Sequence, residues 1–340
     1  MTTQPVLAAE AARTARGSIR VLLRDNAWML GLLVFMVVLL GFTKLINPFY
    51  DIKSLQGLAT SVLPLALAAV AQTLVVLAGG IDLSISSMMA VTSCAAAVLM
   101  QQYPGNEVAL LIVVGVLILG LLLGAINGGL VVLTGVPDII VTLATSFVFA
   151  GFALLVTPRP AGAAAGWLKD LVVGPLANIV GLDAIPRAAV VLVVIVAVIW
   201  IPLRRARLGL SLYAVGSNRL AAFRSGVAVR RTKFLSYVIA GLFGALAGLS
   251  LTASTGIGSP VPGPDYVLLA IGAVVLGGVS LAGGIGGVVG PLLAVVVLQL
   301  IRNDMTFLKV DPNYGLVAQG FLVIAVLVFG TLVQLRRRRA

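Results

Sequence analysis

The stretch VALLIVVGVLILGLLLGAINGGLVVL, residues 108–133, runs for 26 residues without one charge. An α-helix rises 1.5 Å per residue, so about 20 apolar residues cross the roughly 30 Å hydrocarbon layer of a bilayer. Residues 108–133 therefore predict a membrane-spanning helix. Nine further apolar runs read the same way: 27–43, 57–78, 84–100, 137–157, 187–203, 234–255, 265–281, 285–301 and 315–335. Their only charges, Asp138, Arg187 and Asp265, stand at run ends. The 340 residues are 60% hydrophobic and 10% charged, with mean hydropathy +1.15, whereas a soluble domain is about 45–50% apolar and about 25% charged. A water-soluble domain is excluded. The expected fold is all-α, a single polytopic membrane domain over 1–340 with about ten transmembrane helices.

Lysine and arginine number 23 against 11 acidic residues, a net charge of +12. In a membrane chain such an excess reports orientation, because basic loops stay cytoplasmic, and it does not call for a nucleic-acid partner. Residues 1–26 hold Arg13, Arg16, Arg20 and Arg24 and lack a signal-peptide core with a small-residue cleavage site, so the first run reads as a retained anchor. Threading ten spans from a cytoplasmic N-terminus keeps 16 of the 23 basic residues inside: those four, eight within 204–233 and the four at 336–339. Both termini are then cytoplasmic.

Residues 158–186 become an extracytoplasmic loop in which Trp167, Leu168, Leu171 and Val172 are spaced like a short amphipathic helix, a plain connector being the alternative. Residues 204–233 become a cytoplasmic loop whose stretch 212–226 reads as one short helix bounded by glycines. GGIDLS at 79–84 and GGVSLA at 277–282 echo each other 198 residues apart, each interrupting apolar runs on the cytoplasmic side, as in a parallel duplication. Small residues spaced by four, Gly120, Gly124 and Gly128 and then Ala240, Gly244 and Gly248, mark close helix packing.

Counting excludes several chemistries. With no histidine and a single Cys94, imidazole catalysis, Cys/His zinc sites and internal disulfides are ruled out, and no metal or cofactor is expected. No Gly-Lys pair exists, so ATP is not bound by a P-loop. Asp82, between Gly79-Gly80 and Ser84, sits where one helix must stop and the next begin; helix capping is favoured there over a transport carboxylate. Gln72, Thr73, Asn127, Thr145, Ser146 and Gln319 lie inside apolar runs, where each needs a partner or water. Sharing one cavity, they would suit a neutral polyhydroxylated solute. The spans offer no buried acid–base pair, which counts against the alternative of an ion-coupled secondary transporter and against a membrane enzyme.

Three stretches, LAGGIDLSISSMMAVTS (77–93), AVGSNRLAAFRSGVAVRRTKFLSYVIAGLFGALAG (214–248) and IGAVVLGGVSLAGGIGGVVGPLLAVVVLQLIRN (271–303), resemble the permease subunits of bacterial ATP-binding-cassette sugar importers of the ribose, xylose and arabinose type. GGIDLS followed by G-x-N-x-x-A-A-x-x-S-G, here Gly216, Asn218, Ala221, Ala222, Ser225 and Gly226, is a specific combination. Branched-chain amino-acid permeases are distant relatives that lack GGIDLS. The resemblance implies a pair of permeases, identical or paralogous, in the lipid of the bacterial cytoplasmic (inner) membrane. Cytoplasmic ATPase subunits hydrolyse the ATP, and an extracytoplasmic binding protein delivers a monosaccharide or related polyol. It makes the cytoplasmic loop the coupling element; there Asn218, just before the apolar run 220–223, is the expected helix cap, Ala221 and Ala222 are expected on the docking face, and Arg219 and Arg224 are expected to reach acidic groups or lipid phosphates. The stretch IRNDMTFLKVDPNYG (301–315) is more charged than such permeases usually are, which leaves the particular sugar open.

Overall fold

With no water in the hydrocarbon layer, each backbone group needs a partner within its own segment, and every regular element among the described residues is accordingly an α-helix. The computed structural model describes residues 27–177, 182–261 and 265–311, with isolated positions between 314 and 325. The basic residues of 1–26 and 336–339, and Gln319, lie outside the described residues, as does most of the run 315–335.

The helices are α1 (Ala27–Ile46), α2 (Ile52–Leu77), α3 (Ile85–Gln102), α4 (Asn106–Thr134), α5 (Asp138–Val156), α6 (Gly166–Val172), α7 (Arg187–Arg205), α8 (Arg207–Ser217), α9 (Arg219–Arg224), α10 (Val229–Thr255), α11 (Asp265–Leu276) and α12 (Val289–Phe307). Eight of these, α1 to α5, α7, α10 and α12, are long and apolar enough to cross a membrane. The expected run 265–281 is helical only in part: α11 has 12 residues, about 18 Å at the helical rise, and stops at Gly277-Gly278. The chain from there to 288 is irregular.

Two helices form the core. Residues 62–77 of α2 are buried on all sides, the pattern of a helix with protein neighbours all round, and α10 packs against α2, α3 and α4. The outer helices turn apolar side chains such as Leu133, Phe147 and Leu155 outward. Small residues let α4 and α10 touch backbone to backbone, since lipid supplies no hydrophobic drive for helices to associate. Gly124 faces the Tyr237 carbonyl, Gly128 faces Phe234, and Gly120 faces Gly241 and Ala245. The partner on α10 is thus Gly241, which the spacing argument missed. The expected stripe packs on α3 instead, Gly244 against Met88 and Gly248 against Met89 and Thr92. A Ser93–Thr252 hydroxyl pair at 2.8 Å ties the same two helices.

Two helix ends differ from the sequence reading. Helix α2 begins at Ile52, five residues before the apolar run, because Asp51 and Ser54 form a reciprocal capping box; the Ser54 N–H holds the Asp51 carboxyl below its usual pKa. Helix α12 continues to Phe307 and carries Asp304 with it. That carboxylate, in the last turn of the helix, is buried and accepts a 2.7 Å hydrogen bond from the Thr43 hydroxyl.

The helices sort the loops to two ends. One end gathers residues 47–51, the 158–186 segment and the C-terminal turns of α10 and α12. Within that segment α6 buries Leu168 and Val172 and leaves Leu171 exposed. The other end gathers 78–84, 135–137, α8 with α9, and 277–288.

Candidate functional site

Helices α2 and α11 stop in the same way. In VVLAGG (75–80) the Gly79 N–H donates to Val76 O and the Gly80 N–H to Val75 O; in VVLGGV (274–279) the Gly278 N–H donates to Val275 O and the Val279 N–H to Val274 O. Gly79 at φ 72° and Gly278 at φ 80° supply the left-handed residue this helix-ending turn requires. The internal echo is therefore structural, but its register is 199 residues, not 198: Gly79 corresponds to Gly278.

The two breaks meet. The Gly284 N–H donates to Leu77 O at 3.1 Å, and Gly283 lies on the backbone of Gly79. Gly216 of α8 is wedged between them, so that a Cβ there would strike the Leu77 carbonyl and the Gly284 nitrogen. The Tyr213 hydroxyl donates to Gly286 O at 2.9 Å; burial holds this phenol above its ordinary pKa, keeping it a neutral donor.

Between 206 and 228 the expected single helix is two. They divide at Asn218, whose Oδ1 accepts from the Ala221 N–H at 2.9 Å and so caps α9. Gly226, at φ 80°, turns the chain toward α10. Ala222 is not on an outward face: it is buried against Val215 and Val229. Arg219, Leu220, Ala221, Phe223, Arg224 and Ser225 are exposed, Phe223 at 68%.

On the far side of the first break, Asp82 is fully buried. Its Oδ1 accepts from the Ser84 N–H at 2.8 Å and the Ser84 hydroxyl at 2.7 Å. The Ser84 oxygen in turn accepts from Asn127 Nδ2 at 2.7 Å. Asp82 thus closes a local turn ahead of α3, and the residue at the N-cap is Ser84, which makes no side-chain cap. This corrects the expectation of a direct cap. Asp82 lies between the two spans, and burial raises its carboxyl pKa.

Beside this turn is a charge cluster that the sequence reading did not assemble. Lys233 Nζ and Asp138 Oδ1 are 2.7 Å apart, with side chains 11% and 13% exposed. The Tyr237 hydroxyl donates to the other Asp138 oxygen at 2.7 Å. Both groups cover Gly80, where a Cβ would meet the Asp138 carboxylate, with the Tyr237 hydroxyl 3.0 Å away. The Thr142 hydroxyl donates to Asp138 O and accepts from the Leu83 N–H. The chain does contain a largely buried acid–base pair, contrary to the sequence expectation. No local spacing signals the pair, since Asp138 stands on α5 and Lys233 on α10.

The described polar residues expected along a path make no hydrogen bond to one another. Gln72 is buried on α2 with neither amide atom partnered, and the Thr73 hydroxyl bonds back to Ala69 O. Thr145 and Ser146 bond back to Thr142 and Leu143 on α5, while Asn127 serves Ser84 and has a free Oδ1.

Residues 54–327 match the family described as branched-chain amino acid transport system / permease component. The chain belongs to that family. Among curated proteins, this permease is 32% identical to the ribose import permease of Escherichia coli strain K12 over 308 residues, covering 89% of its own length and 94% of the relative. It is 35% identical to the ribose import permease of Bacillus subtilis strain 168 over 301 residues, 88% and 90% of the two chains. It is 32% identical to the D-allose transport system permease of E. coli K12 over 258 residues, 76% and 77% of the two chains. No solved structure matches the permease. With these relatives and its apolar helices, the permease is a multi-pass protein of the cytoplasmic (inner) membrane.

Proposed function

We propose that this permease forms the translocation path for a monosaccharide or related polyol in an ATP-binding-cassette importer, as one of a pair of permeases. ATP is hydrolysed on a separate cytoplasmic ATPase, an extracytoplasmic protein delivers the sugar, and this chain is not itself an enzyme. The two ribose import permeases align with about nine-tenths of the chain, which supports the sugar class; the amino-acid wording of the family description is the broader grouping. The end carrying α8 and α9 faces the cytoplasm in this reading, and the end carrying 158–186 faces outward, as the distribution of basic residues requires.

The observation that carries the coupling is Gly216 seated against both glycine breaks. A push on the exposed face of α8 and α9 reaches α2 and the 277–288 segment that follows α11 through backbone contact, with no flexible side chain between. Short helices in such contact transmit a rigid-body shift. Asp138 and Lys233 neutralise each other, which suits a structural clamp better than an ion-coupling site. The test is to replace Phe223 by Asp and measure ATPase co-purification. Loss of the ATPase from a permease that still inserts supports the assignment; undiminished recovery together with full uptake sinks it.

A further inference from the structure

At the end that carries 158–186, the first turns of α2, residues 173–174 and the last turn of α10 enclose a cavity of about 430 Å³. Its polar side chains are Lys53, Gln56, Thr60, Ser61 and Ser254. The three hydroxyls have spent their protons within their own helices: Thr60 donates to Gln56 O, Ser61 to Leu58 O and Ser254 to Leu251 O. The Gln56 amide nitrogen donates to Asp183 O at 2.9 Å. The three hydroxyls therefore present oxygen lone pairs, and Gln56 presents its amide oxygen beside one remaining N–H. Pro64 contributes one more acceptor, because a proline has no N–H to give the carbonyl four residues earlier, and that carbonyl belongs to Thr60.

A wall of acceptors with one ammonium suits a ligand whose surface is made of hydroxyl donors. A carboxylate would find only Lys53 and the second Gln56 N–H among mostly accepting oxygens, and an apolar amino-acid side chain would bury these oxygens unpaired, at a penalty. The volume lies within the range of small-molecule sites. We infer that this cavity is the receiving site at the outer mouth of the permease, where hydroxyls of a monosaccharide or polyol donate to Gln56, Thr60, Ser61 and Ser254. The inference rests on the importer reading and adds the place and the bonding sense of the ligand.

The native Cys94 is buried, so Ser61→Cys in the assembled transporter provides one accessible thiol. Its modification by a membrane-impermeant methanethiosulfonate is timed with D-ribose, D-allose or L-leucine present. Either sugar slows modification severalfold and leucine does not; equal rates under all three conditions, or protection by leucine, overturn the site. In a second variant, Thr60→Val, the KM for the protecting sugar rises by about 2- to 10-fold, the worth of one hydrogen bond, with the maximal rate kept; an unchanged KM overturns the assignment of that hydroxyl. ATP-driven uptake without protection refutes the site and leaves the importer reading standing, whereas protection without ATP-driven uptake does the reverse.

Discussion

Gly124→Ala puts the α4–α10 contact under the smallest possible load. A Cβ at Gly124 would lie against the Tyr237 carbonyl oxygen and 3.0 Å from both the Tyr237 carbonyl carbon and the Val238 Cα. Carbon atoms settle at about 3.5–4.0 Å, so the two helices must part by about 0.5–1 Å. These atoms are backbone and cannot rotate away. The separation also loosens Gly120 and Gly128 against α10 and draws the Tyr237 hydroxyl from Asp138, where it now sits at 2.7 Å. Overpacking of this kind costs about 1–3 kcal/mol. Gly129, one residue past the stripe on the same helix, has nothing within 4 Å of an added Cβ, so Gly129→Ala should gain up to about 1 kcal/mol of helix propensity. The two variants should differ by about 1–4 kcal/mol, read as thermal unfolding of the purified protein in detergent. Equal unfolding temperatures would refute the claim that backbone contact at Gly124 holds the bundle.

Three further outcomes follow from the same geometry. Asp138→Asn strands the Lys233 ammonium and should cost about 3 kcal/mol, whereas Asp138→Asn combined with Lys233→Met should recover most of it; strictly additive effects in a double-mutant cycle would show that the pair is not coupled. Ala222→Trp should collapse the small core with Val215 and Val229 and lower the yield of folded permease, while Ala221→Trp should fold and instead weaken ATPase pull-down; the opposite pattern would place Ala222 outward after all. Asp82→Asn should keep the turn, because its side-chain oxygen still accepts from the Ser84 N–H, and should retain uptake, whereas Asp82→Leu leaves the Ser84 groups unpartnered in a buried site and should lose assembly; an Asn variant that assembles normally but does not transport would restore an essential charge at this position.

Much of the fold was legible because the bilayer imposes one length and one polarity. Runs such as 108–133 and 234–255 appear as α4 and α10 within a few residues, and the basic residues between 204 and 233 fall together at one end. The failures have physical causes. Run 265–281 looks continuous by hydropathy, yet Gly277 and Gly278 allow a backbone turn that composition does not register. Helix α2 starts early because a capping box stabilises turns that hydropathy scores as loop. The site was less legible. Asp138 and Lys233 are 95 positions apart in the sequence and are joined only by the packing of α5 on the turn at Gly80. Gly241 outranks its neighbours on α10 because helix rotation, which spacing by four leaves open, selects the face toward α4. Asn218 was readable as a cap because that choice is local.

The account turns on whether ATP hydrolysis by a partner subunit drives a sugar through this chain. The most direct measurement is uptake of labelled D-ribose into proteoliposomes holding the permease, its ATPase and its binding protein, with ATP inside or outside and with ionophores added. The account predicts uptake that requires ATP on the α8–α9 side, survives collapse of proton and sodium gradients, and is lost with Phe223→Asp. Uptake that proceeds without ATP and vanishes when the ion gradient is dissipated would contradict it.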